Sequence, residues 1–328
     1  MDLRRRVLAG ETVVYNVSTA KKAPHRRFHE WAEAHDHAQA REAVIIGNPE
    51  AGGVRYEGRL KRCAEILSSG GLAVEVWPTE QPQHATELAT LAGSRLVVAA
   101  GGDGTVNEVV NGLAHDATLG ILPLGTANVL ARELGLPLKA EEACKHILSG
   151  EVGRIDTGVA TDHEGTERRF TCMAGMGLDA LVVEEVTPRL KRILRMLAFP
   201  LMAFKVYSEG DLPMLHIEHG DDTYLTQFAI VANGQYYGGD FRTAEDAALT
   251  TGKLKVVLVE RVSWLLRPDV LASILTKRPL DRSMRSFTAK ELRATSPGAR
   301  VPVQLDGEVW GRLPMSFRIE PGALKVIR

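Results

Sequence analysis

The stretch from Leu96 to Leu113, LVVAAGGDGTVNEVVNGL, constrains the fold of this chain more than any other. It starts with a short apolar run of the kind that forms a strand buried on both faces. Glycines interrupt the run at GGDGT, and apolar residues then recur at helical spacing from Val106 to Leu113. A strand, a glycine turn and a helix together point backbone N–H groups toward an anion, usually phosphate. The stretch therefore predicts a phosphate-binding loop in an α/β domain.

An acidic residue, Asp103, lies inside this loop. Its carboxylate would repel a phosphate unless a cation lay between them, so we expect Mg²⁺ there. The glycines allow the backbone to approach the ligand closely and to adopt positive φ angles where the loop needs them. The spacing matches neither the nucleotide loop that ends in Gly-Lys-Ser/Thr nor the dinucleotide fingerprint. Glycine-rich turns also occur in α/β proteins without a ligand, so the loop by itself leaves both interpretations open.

The pattern of elements changes along the chain. From residue 42, strand-like and helix-like segments alternate, which indicates a parallel sheet with ligands at the carboxyl ends of its strands. After about Gly150, short strand-like runs separated by turn residues indicate an antiparallel sandwich. We predict an N-terminal extension (1–41), a Rossmann-like α/β nucleotide-binding domain (42–153) and a β-rich domain (154–328). The predicted strands of the last domain include Arg168–Met173, Tyr224–Ala232 and Phe287–Arg293.

Composition excludes several classes of protein. The 328 residues carry a formal net charge of −1, which gives no reason to expect nucleic-acid binding. Three cysteines, Cys63, Cys144 and Cys172, are far apart, as expected of buried thiols in a reducing compartment. No apolar run reaches the roughly 20 residues of a membrane span. We therefore predict a cytoplasmic protein.

Several motifs together resemble one family. GGDGTVNEVVNGL resembles the signature of the diacylglycerol-kinase catalytic-domain superfamily, which contains bacterial lipid kinases, sphingosine and ceramide kinases and, more distantly, NAD kinases. Five other motifs follow in the family's order, and the resemblance runs from about Ala43 to the C-terminus. It implies an ATP-binding domain followed by a β-rich lipid-binding domain. The five motifs are NPEAGG (48–53), PLGTAN (123–128), FTCMAGMGLDA (170–180), ANGQYYGGDF (232–241) and QLDGE (304–308).

The nucleotide site takes its candidates from the NPEAGG, GGDGT and PLGTAN motifs. We expect Mg²⁺ to be organised by Asp103, and the resemblance implies nucleotide contacts for Asn48 and Asn128. We expect the phosphates to be cradled by Gly101, Gly102, Gly104, Thr105, Gly125 and Thr126.

Two further carboxylates flank a glycine in the QLDGE motif. At positions i and i+2 of a strand, Asp306 and Glu308 would share a face, so that one could take a proton and the other bind metal. An Asp-Gly pair is also a common tight turn. The resemblance implies that Asp306 is the catalytic base and that Glu308 lies beside the metal. It also makes Asp156 a candidate metal ligand, with a turn-capping aspartate as the alternative.

The chain departs from the family's pattern at two places. Bacterial diacylglycerol kinases usually continue the second loop with Asn-Asp, whereas this chain has Asn128-Val129. The family commonly has Asp-Gly-x-Leu where this chain has Thr251-Gly252-Lys253-Leu254, which leaves a second, structural Mg²⁺ near Thr251 open. Both departures weaken a specific assignment to diacylglycerol.

Two amphipathic stretches, Pro188–Tyr207 and Ser263–Lys277, are suited to a membrane surface or an acyl pocket, and the alternative is a pair of core helices. We therefore predict a lipid kinase that acts peripherally at the membrane and transfers the γ-phosphate of ATP to a lipid hydroxyl, with diacylglycerol as the first candidate. The alternatives are a ceramide or sphingoid-base kinase, an NAD kinase, and a nucleotide- or lipid-binding regulator without catalysis. The role of residues 1–41 and the oligomeric state stay open, with a homodimer as one alternative.

Overall fold

The computed structural model of the protein describes residues 42–49, 56–185, 212–238, 241–242, 244–261, 284–298 and 300–328. The chain packs as two units. One ends at Ile155 and also takes in Gly322–Arg328, and the other runs from Asp156 to Pro321. The predicted domain boundaries stay predictions. The N-terminal extension and both amphipathic stretches, Pro188–Tyr207 and Ser263–Lys277, lie outside the described residues.

A parallel sheet forms the centre of the first unit. Its strand order is β2-β1-β3-β4, and the last residues of β18 add a further strand, since Lys325 and Val326 pair in parallel with Thr118 and Leu119. Every residue of β3 and of β4 is buried, as the apolar run predicted. The strands are β1 (Glu42–Gly47), β2 (Ala73–Pro78), β3 (Leu96–Gly101), β4 (Thr118–Pro123) and β18 (Met315–Ile327).

Helices cover this sheet because its strands are apolar on both faces. Two of the helices, α1 and α5, share one core cluster with Ile45 and Val98. Val44 and Val97, the alternate residues on the strands, lie outside that cluster and are equally buried. The sequence did not predict α4 or α5. The helices of this unit are α1 (Tyr56–Ser69), α2 (His84–Ala92), α3 (Asp103–Gly112), α4 (Val129–Glu133) and α5 (Ala140–Ser149).

The second half of the GGDGTVNEVVNGL motif holds α2 against α3. A Glu108 carboxylate oxygen accepts a hydrogen bond from the Ala85 N–H (3.2 Å), and the Glu108 carbonyl oxygen accepts one from the Thr86 hydroxyl (2.9 Å). At the end of α3, a Cβ on Gly112 would overlap the carbonyl oxygen of Thr86. The two helix backbones are therefore too close for any side chain at position 112.

Antiparallel strands form the second unit. Among the described residues, six strands pair in the order β14-β13-β10-β7-β16-β17. The start of β18 pairs with β15, β15 with β8, β8 with β9, and β5 with β6. The added elements are β5 (Val152–Asp162), β6 (Glu167–Phe170), β7 (Met173–Gly177), α6 (Leu178–Glu185), β8 (Leu215–His219), β9 (Asp222–Thr226), β10 (Phe228–Ala232), β11 (Tyr236–Gly238), β12 (Phe241–Arg242), β13 (Leu254–Val259), β14 (Arg285–Ala289), β15 (Glu291–Thr295), β16 (Pro302–Leu305) and β17 (Glu308–Arg312).

The predicted fold class is confirmed: an α/β unit with parallel strands is followed by an antiparallel β-rich unit. Three single strands of the prediction are wrong, because Arg168–Met173, Tyr224–Ala232 and Phe287–Arg293 each comprise two strands with a corner between them. The corners lie at Thr171 and Cys172, at Gln227 and at Lys290, and no glycine or proline marks any of them, so local pattern does not reveal them. All three cysteines are buried free thiols, as predicted. In the part of the chain that the structure describes, no helix is long and apolar enough to cross a membrane.

We expect Gly112→Ala to lower the free energy of unfolding by about 1–3 kcal/mol, because the added methyl group overlaps a backbone oxygen and forces two helices apart. The matched control is Gly58→Ala in α1, where a Cβ would meet nothing within 4 Å. It should stabilise the chain by about 0.5–1 kcal/mol, since alanine favours a helix over glycine. Urea unfolding followed by circular dichroism measures both, and equal midpoints for the two variants would contradict the close packing of α2 and α3.

Candidate functional site

The carboxyl ends of β1, β3 and β4 bring the three predicted nucleotide loops together. The Asn48 N–H donates to the carbonyl oxygen of Ala100 at the end of β3 (3.4 Å). From the other side, the Leu124 and Gly125 N–H groups donate to the carbonyl oxygen of Gly101 (3.0 and 3.1 Å). Asn48 and Pro49 are the described part of the first loop, and its remaining residues, 50–53, lie outside the described ranges.

The GGDGT loop differs from its prediction in backbone conformation. Helix α3 begins inside the glycine stretch at Asp103, with Gly102 as the N-cap at φ −92° and ψ −170°. Gly101, Gly102 and Gly104 are not among the described residues with positive φ, so the loop does not use the left-handed conformation that glycine would permit. The glycines instead permit close packing: a Cβ on Gly101 would overlap the side chain of Thr105, and a Cβ on Gly125 would overlap the Cα of Gly102.

The second loop, PLGTAN, is closed by its own asparagine. Asn128 adopts the left-handed conformation (φ 50°, ψ 54°), which asparagine tolerates better than most residues. Its side-chain oxygen accepts the Gly125 N–H, and its side-chain nitrogen donates to the Gly125 carbonyl oxygen, both at 3.0 Å. Asn128 is buried, whereas Thr126 is exposed at the tip of the loop. Asn128 was predicted as a nucleotide contact and Thr126 as part of the phosphate cradle, and of these two residues only Thr126 is exposed.

Asp103 joins the two loops. Its carboxylate oxygen Oδ1 accepts a hydrogen bond of 2.5 Å from the Val129 N–H, at the start of α4. The first turn of α3 also presents N–H groups that have no partner within the helix. The half-buried Asp103 therefore lies at a positive helix end, beside the second loop.

One residue of this region was not predicted. Tyr56 is buried at the start of α1, and its hydroxyl donates to the Ala100 carbonyl oxygen (2.8 Å). Burial raises the pKa of Tyr56 above the ordinary value of a phenol. A Cβ on Gly47 would overlap this hydroxyl, so the glycine before Asn48 makes room for it. The glycine was the only signal in the sequence.

In the second unit, Asp306 and Gly307 form the two-residue turn between β16 and β17. Both have positive φ angles, 50° and 88°, and Leu305 pairs with Glu308 across the turn. This is the geometry of a tight hairpin, for which Asp-Gly is a favoured sequence. The prediction that Asp306 and Glu308 share the face of one strand is therefore wrong, because Asp306 belongs to the turn.

The carboxylate of Asp306 accepts four hydrogen bonds from the corner between β6 and β7. Oδ2 accepts the Thr171 N–H (2.7 Å) and the Thr171 hydroxyl (3.0 Å). Oδ1 accepts the Cys172 N–H (2.8 Å) and the Met173 N–H (3.0 Å). A carboxylate offers about four lone-pair positions, so these donors occupy them all. The three backbone donors of this corner were not predicted.

The other two predicted carboxylates have separate partners. Glu308 is exposed, and its carboxylate lies 3.6 Å from the guanidinium of Arg168, whose side chain is only 14% exposed. Asp156 is buried at 4% exposure, and its Oδ2 accepts the Gly252 N–H (2.7 Å). Asp156 thus supports the TGKL turn (251–254), which matches the turn-capping alternative.

The predicted Mg²⁺ site can be compared with the metal-ligating side chains of the described residues. Across the described ranges, no group of three or more His, Cys, Asp or Glu side chains could hold a metal ion. Mg²⁺ at a kinase site, however, usually takes only one or two carboxylates and completes its shell with substrate phosphates and water. The oxygen donor of Asp103, next to the N-terminus of α3, fits that arrangement.

Comparisons with known proteins agree with these motifs. The family model for the diacylglycerol kinase catalytic domain matches residues 42–160, and that for the YegS C-terminal NAD kinase beta sandwich-like domain matches residues 172–328. The diacylglycerol kinase of Staphylococcus saprophyticus is 28% identical over 285 residues, which is 84% of this chain and 91% of that protein. That of Bacillus subtilis is 28% identical over 287 residues, which is 84% of this chain and 92% of the relative.

A crystal structure of a diacylglycerol kinase from Bacillus anthracis has the same fold, with a TM-score of 0.71, 23% identity and coverage of 88% of this chain and 96% of that one. A second structure from the same organism has a TM-score of 0.74 at 22% identity, with 94% and 98% of the two chains covered. The two family models lie side by side along the chain in the order that the motifs predicted. The chain belongs to the bacterial diacylglycerol kinase family of lipid kinases.

Proposed function

We propose that the protein transfers the γ-phosphate of ATP to the hydroxyl group of a membrane lipid, with diacylglycerol as the first candidate acceptor. The observation that carries the proposal is the Asp103 carboxylate at the N-terminus of α3, directly beside the PLGTAN loop. Backbone N–H groups at a helix N-terminus bind phosphate, and a neighbouring carboxylate suits the magnesium ion that accompanies ATP.

On the nucleotide side, the first turn of α3 and the loop at Gly125 cradle the phosphates, with Asn48 and Thr126 at their edge. Asp103 orients Mg²⁺, which supplies charge neutralisation when it is bound. The hydrogen bond from the Val129 N–H fixes the Asp103 carboxylate, so that this residue is positioned before the nucleotide arrives. Glu308 and Asp156 stay candidate metal ligands in the second unit.

On the acceptor side, Asp306 is the candidate base. As the lipid oxygen attacks the γ-phosphorus, the bond to ADP breaks and the hydroxyl proton passes to a carboxylate oxygen. One of the four hydrogen bonds to Asp306 must be released first. The Thr171 hydroxyl is the donor that can rotate away, and the Cys172 sulfur, 3.6 Å from it, is a second acceptor. The lipid hydroxyl then takes its place on Oδ2.

Diacylglycerol is the first candidate because the curated relatives described above carry that name. Ceramide and sphingoid bases present similar hydroxyl groups, and the missing carboxylate at Val129 weakens the choice among them. Action at a lipid surface follows from an acceptor of this kind. The NAD kinase and regulator alternatives are outcomes of the experiment below.

The experiment measures transfer of labelled phosphate from ATP, with and without Mg²⁺, to diacylglycerol, ceramide and sphingosine in mixed micelles, and separately to NAD. We expect labelled diacylglycerol, and a fall in kcat of about 10²- to 10⁴-fold in Asp306→Asn, because a general base contributes rate acceleration of that size. The matched control is Asp162→Asn, a turn aspartate that also accepts two backbone N–H groups. Labelling of NAD alone, or none at all with ATP still bound, would overturn the proposal.

We expect Thr171→Val to retain the wild-type kcat, since the lone pair that the lipid hydroxyl needs is then already vacant. Its free energy of unfolding should fall by about 1 kcal/mol through the lost hydrogen bond. Thr171→Ser keeps the hydroxyl and should match the wild type in both measurements. A Thr171→Val variant as slow as Asp306→Asn would show that the hydroxyl takes part in the reaction itself.

We expect Gly125→Ala to raise the Kd for ATP at least about tenfold, equivalent to 1.4 kcal/mol. The added Cβ would overlap the backbone of Gly102 and separate the two phosphate loops. Calorimetric titration with a non-hydrolysable ATP analogue measures the change, with Gly58→Ala as the control that should bind normally. Unaltered affinity in Gly125→Ala would mean that the nucleotide does not use these loops.

A further inference from the structure

Asn233, in the ANGQYYGGDF motif, has no part in the function proposed so far. It follows β10 directly, and its side chain is fully buried at 0% exposure. A buried side-chain amide needs hydrogen-bond partners for both its oxygen and its nitrogen. Its partners show what this side chain does.

Asn233 holds the carbonyl oxygens of the corner whose N–H groups hold Asp306. The Asn233 side-chain nitrogen donates to the Thr171 carbonyl oxygen (2.7 Å), and the Asn233 backbone N–H donates to the Cys172 carbonyl oxygen (2.8 Å). The N–H groups of the same two peptide units, on Cys172 and Met173, donate to Asp306 Oδ1. Each peptide group is therefore fixed between Asn233 at its oxygen and Asp306 at its nitrogen.

The second side-chain hydrogen of Asn233 anchors this arrangement to another strand. The same nitrogen donates to the carbonyl oxygen of Asp156 in β5 (2.9 Å). The chain of contacts thus runs from β5 through Asn233 and the corner at 171–173 to the Asp306 carboxylate. Hydrogen bonds in such a chain polarise one another, which strengthens the N–H groups that face the carboxylate.

The Asn233 side-chain oxygen is the exception. It is buried and has no hydrogen-bond donor among the described residues. Of the two side-chain donors of Asn233, one holds the peptide unit that donates to Asp306 and the other holds the carbonyl oxygen of Asp156 in β5.

We infer that Asn233 is a positioning residue for Asp306. It orients the two peptide groups whose N–H donors set the direction of the Asp306 carboxylate, and it does so without touching either substrate. The inference deepens the proposed function and rests on it for its kinetic consequence, because only a base must be aimed at the lipid hydroxyl. The geometric part of the inference stands on the hydrogen bonds alone.

The test compares kcat and the KM values for ATP and lipid in Asn233→Ala. We expect kcat to fall about 10- to 100-fold, the size of a loss from a small misplacement of a reacting group, while the KM for ATP stays unchanged. Asn233→Ser, which retains one donor, should fall less and carries the test if the alanine variant does not fold. The matched control is Thr226→Val at the end of β9, where a buried hydroxyl lies 2.8 and 2.7 Å from two carbonyl oxygens. The control should lower the urea midpoint and leave kcat unchanged.

A double-mutant cycle separates positioning from a general loss of stability. If Asn233 acts through Asp306, Asn233→Ala costs nothing further in kcat when Asp306→Asn is already present. The same factor lost in both backgrounds would overturn the inference. If the wild type transfers no phosphate at all, the proposed function fails, and urea unfolding of the same four proteins decides the inference. Non-additive midpoints support it, and additive ones overturn it.

Discussion

The carboxylate of Asp306 satisfies three consecutive backbone N–H groups, and the arrangement of the second unit depends on it. Between β6 and β7 the chain turns a corner at Thr171 and Cys172, and the carboxylate accepts the N–H groups of these two residues and of Met173, the first residue of β7. Each buried N–H left without a partner would cost about 1–3 kcal/mol. The acceptor must come from a turn that projects a short carboxylate back at the corner. Asp306 and Gly307, both at positive φ, provide that turn.

The first unit also uses an aspartate carboxylate to accept a backbone N–H group. Asp103 follows two glycines and accepts the N–H of Val129, which begins the next helix. In both units, an acidic residue beside a glycine therefore holds a neighbouring segment, and in both cases the same residue is a candidate for the proposed reaction. Such a carboxylate is fixed in direction before any substrate binds, which favours electrostatic catalysis. These residues therefore have a structural role as well as a proposed catalytic role. Variants at these positions need controls matched for stability.

The sequence predicted much of the fold and part of the site. Unbroken apolar runs predicted β1, β3 and β4 because strands covered on both faces carry no polar residues. Motif positions named Asp103, Gly125 and Asp306 as candidates, and their roles in the reaction stay predictions. The corner at residues 171–172 was missed, since its residues have high strand propensity and only a distant carboxylate diverts their N–H groups. The role of Asn233 was missed for the same reason: its partners are more than 60 residues away.

The amino-acid sequence alone determines the order of elements, the class of the two units and the positions of the three glycine-containing loops for which phosphate binding is proposed, because these depend on local periodicity and on glycine. Tertiary structure alone decided that Asp306 lies in a turn and is held by four donors, and that Gly101, Gly102 and Gly125 serve close packing rather than left-handed backbone. It also decided that Asn233 and Asp306 form hydrogen bonds with opposite ends of the same two peptide groups. Hydrogen-bond partners distant along the chain leave no periodic trace, so only the folded chain can specify them.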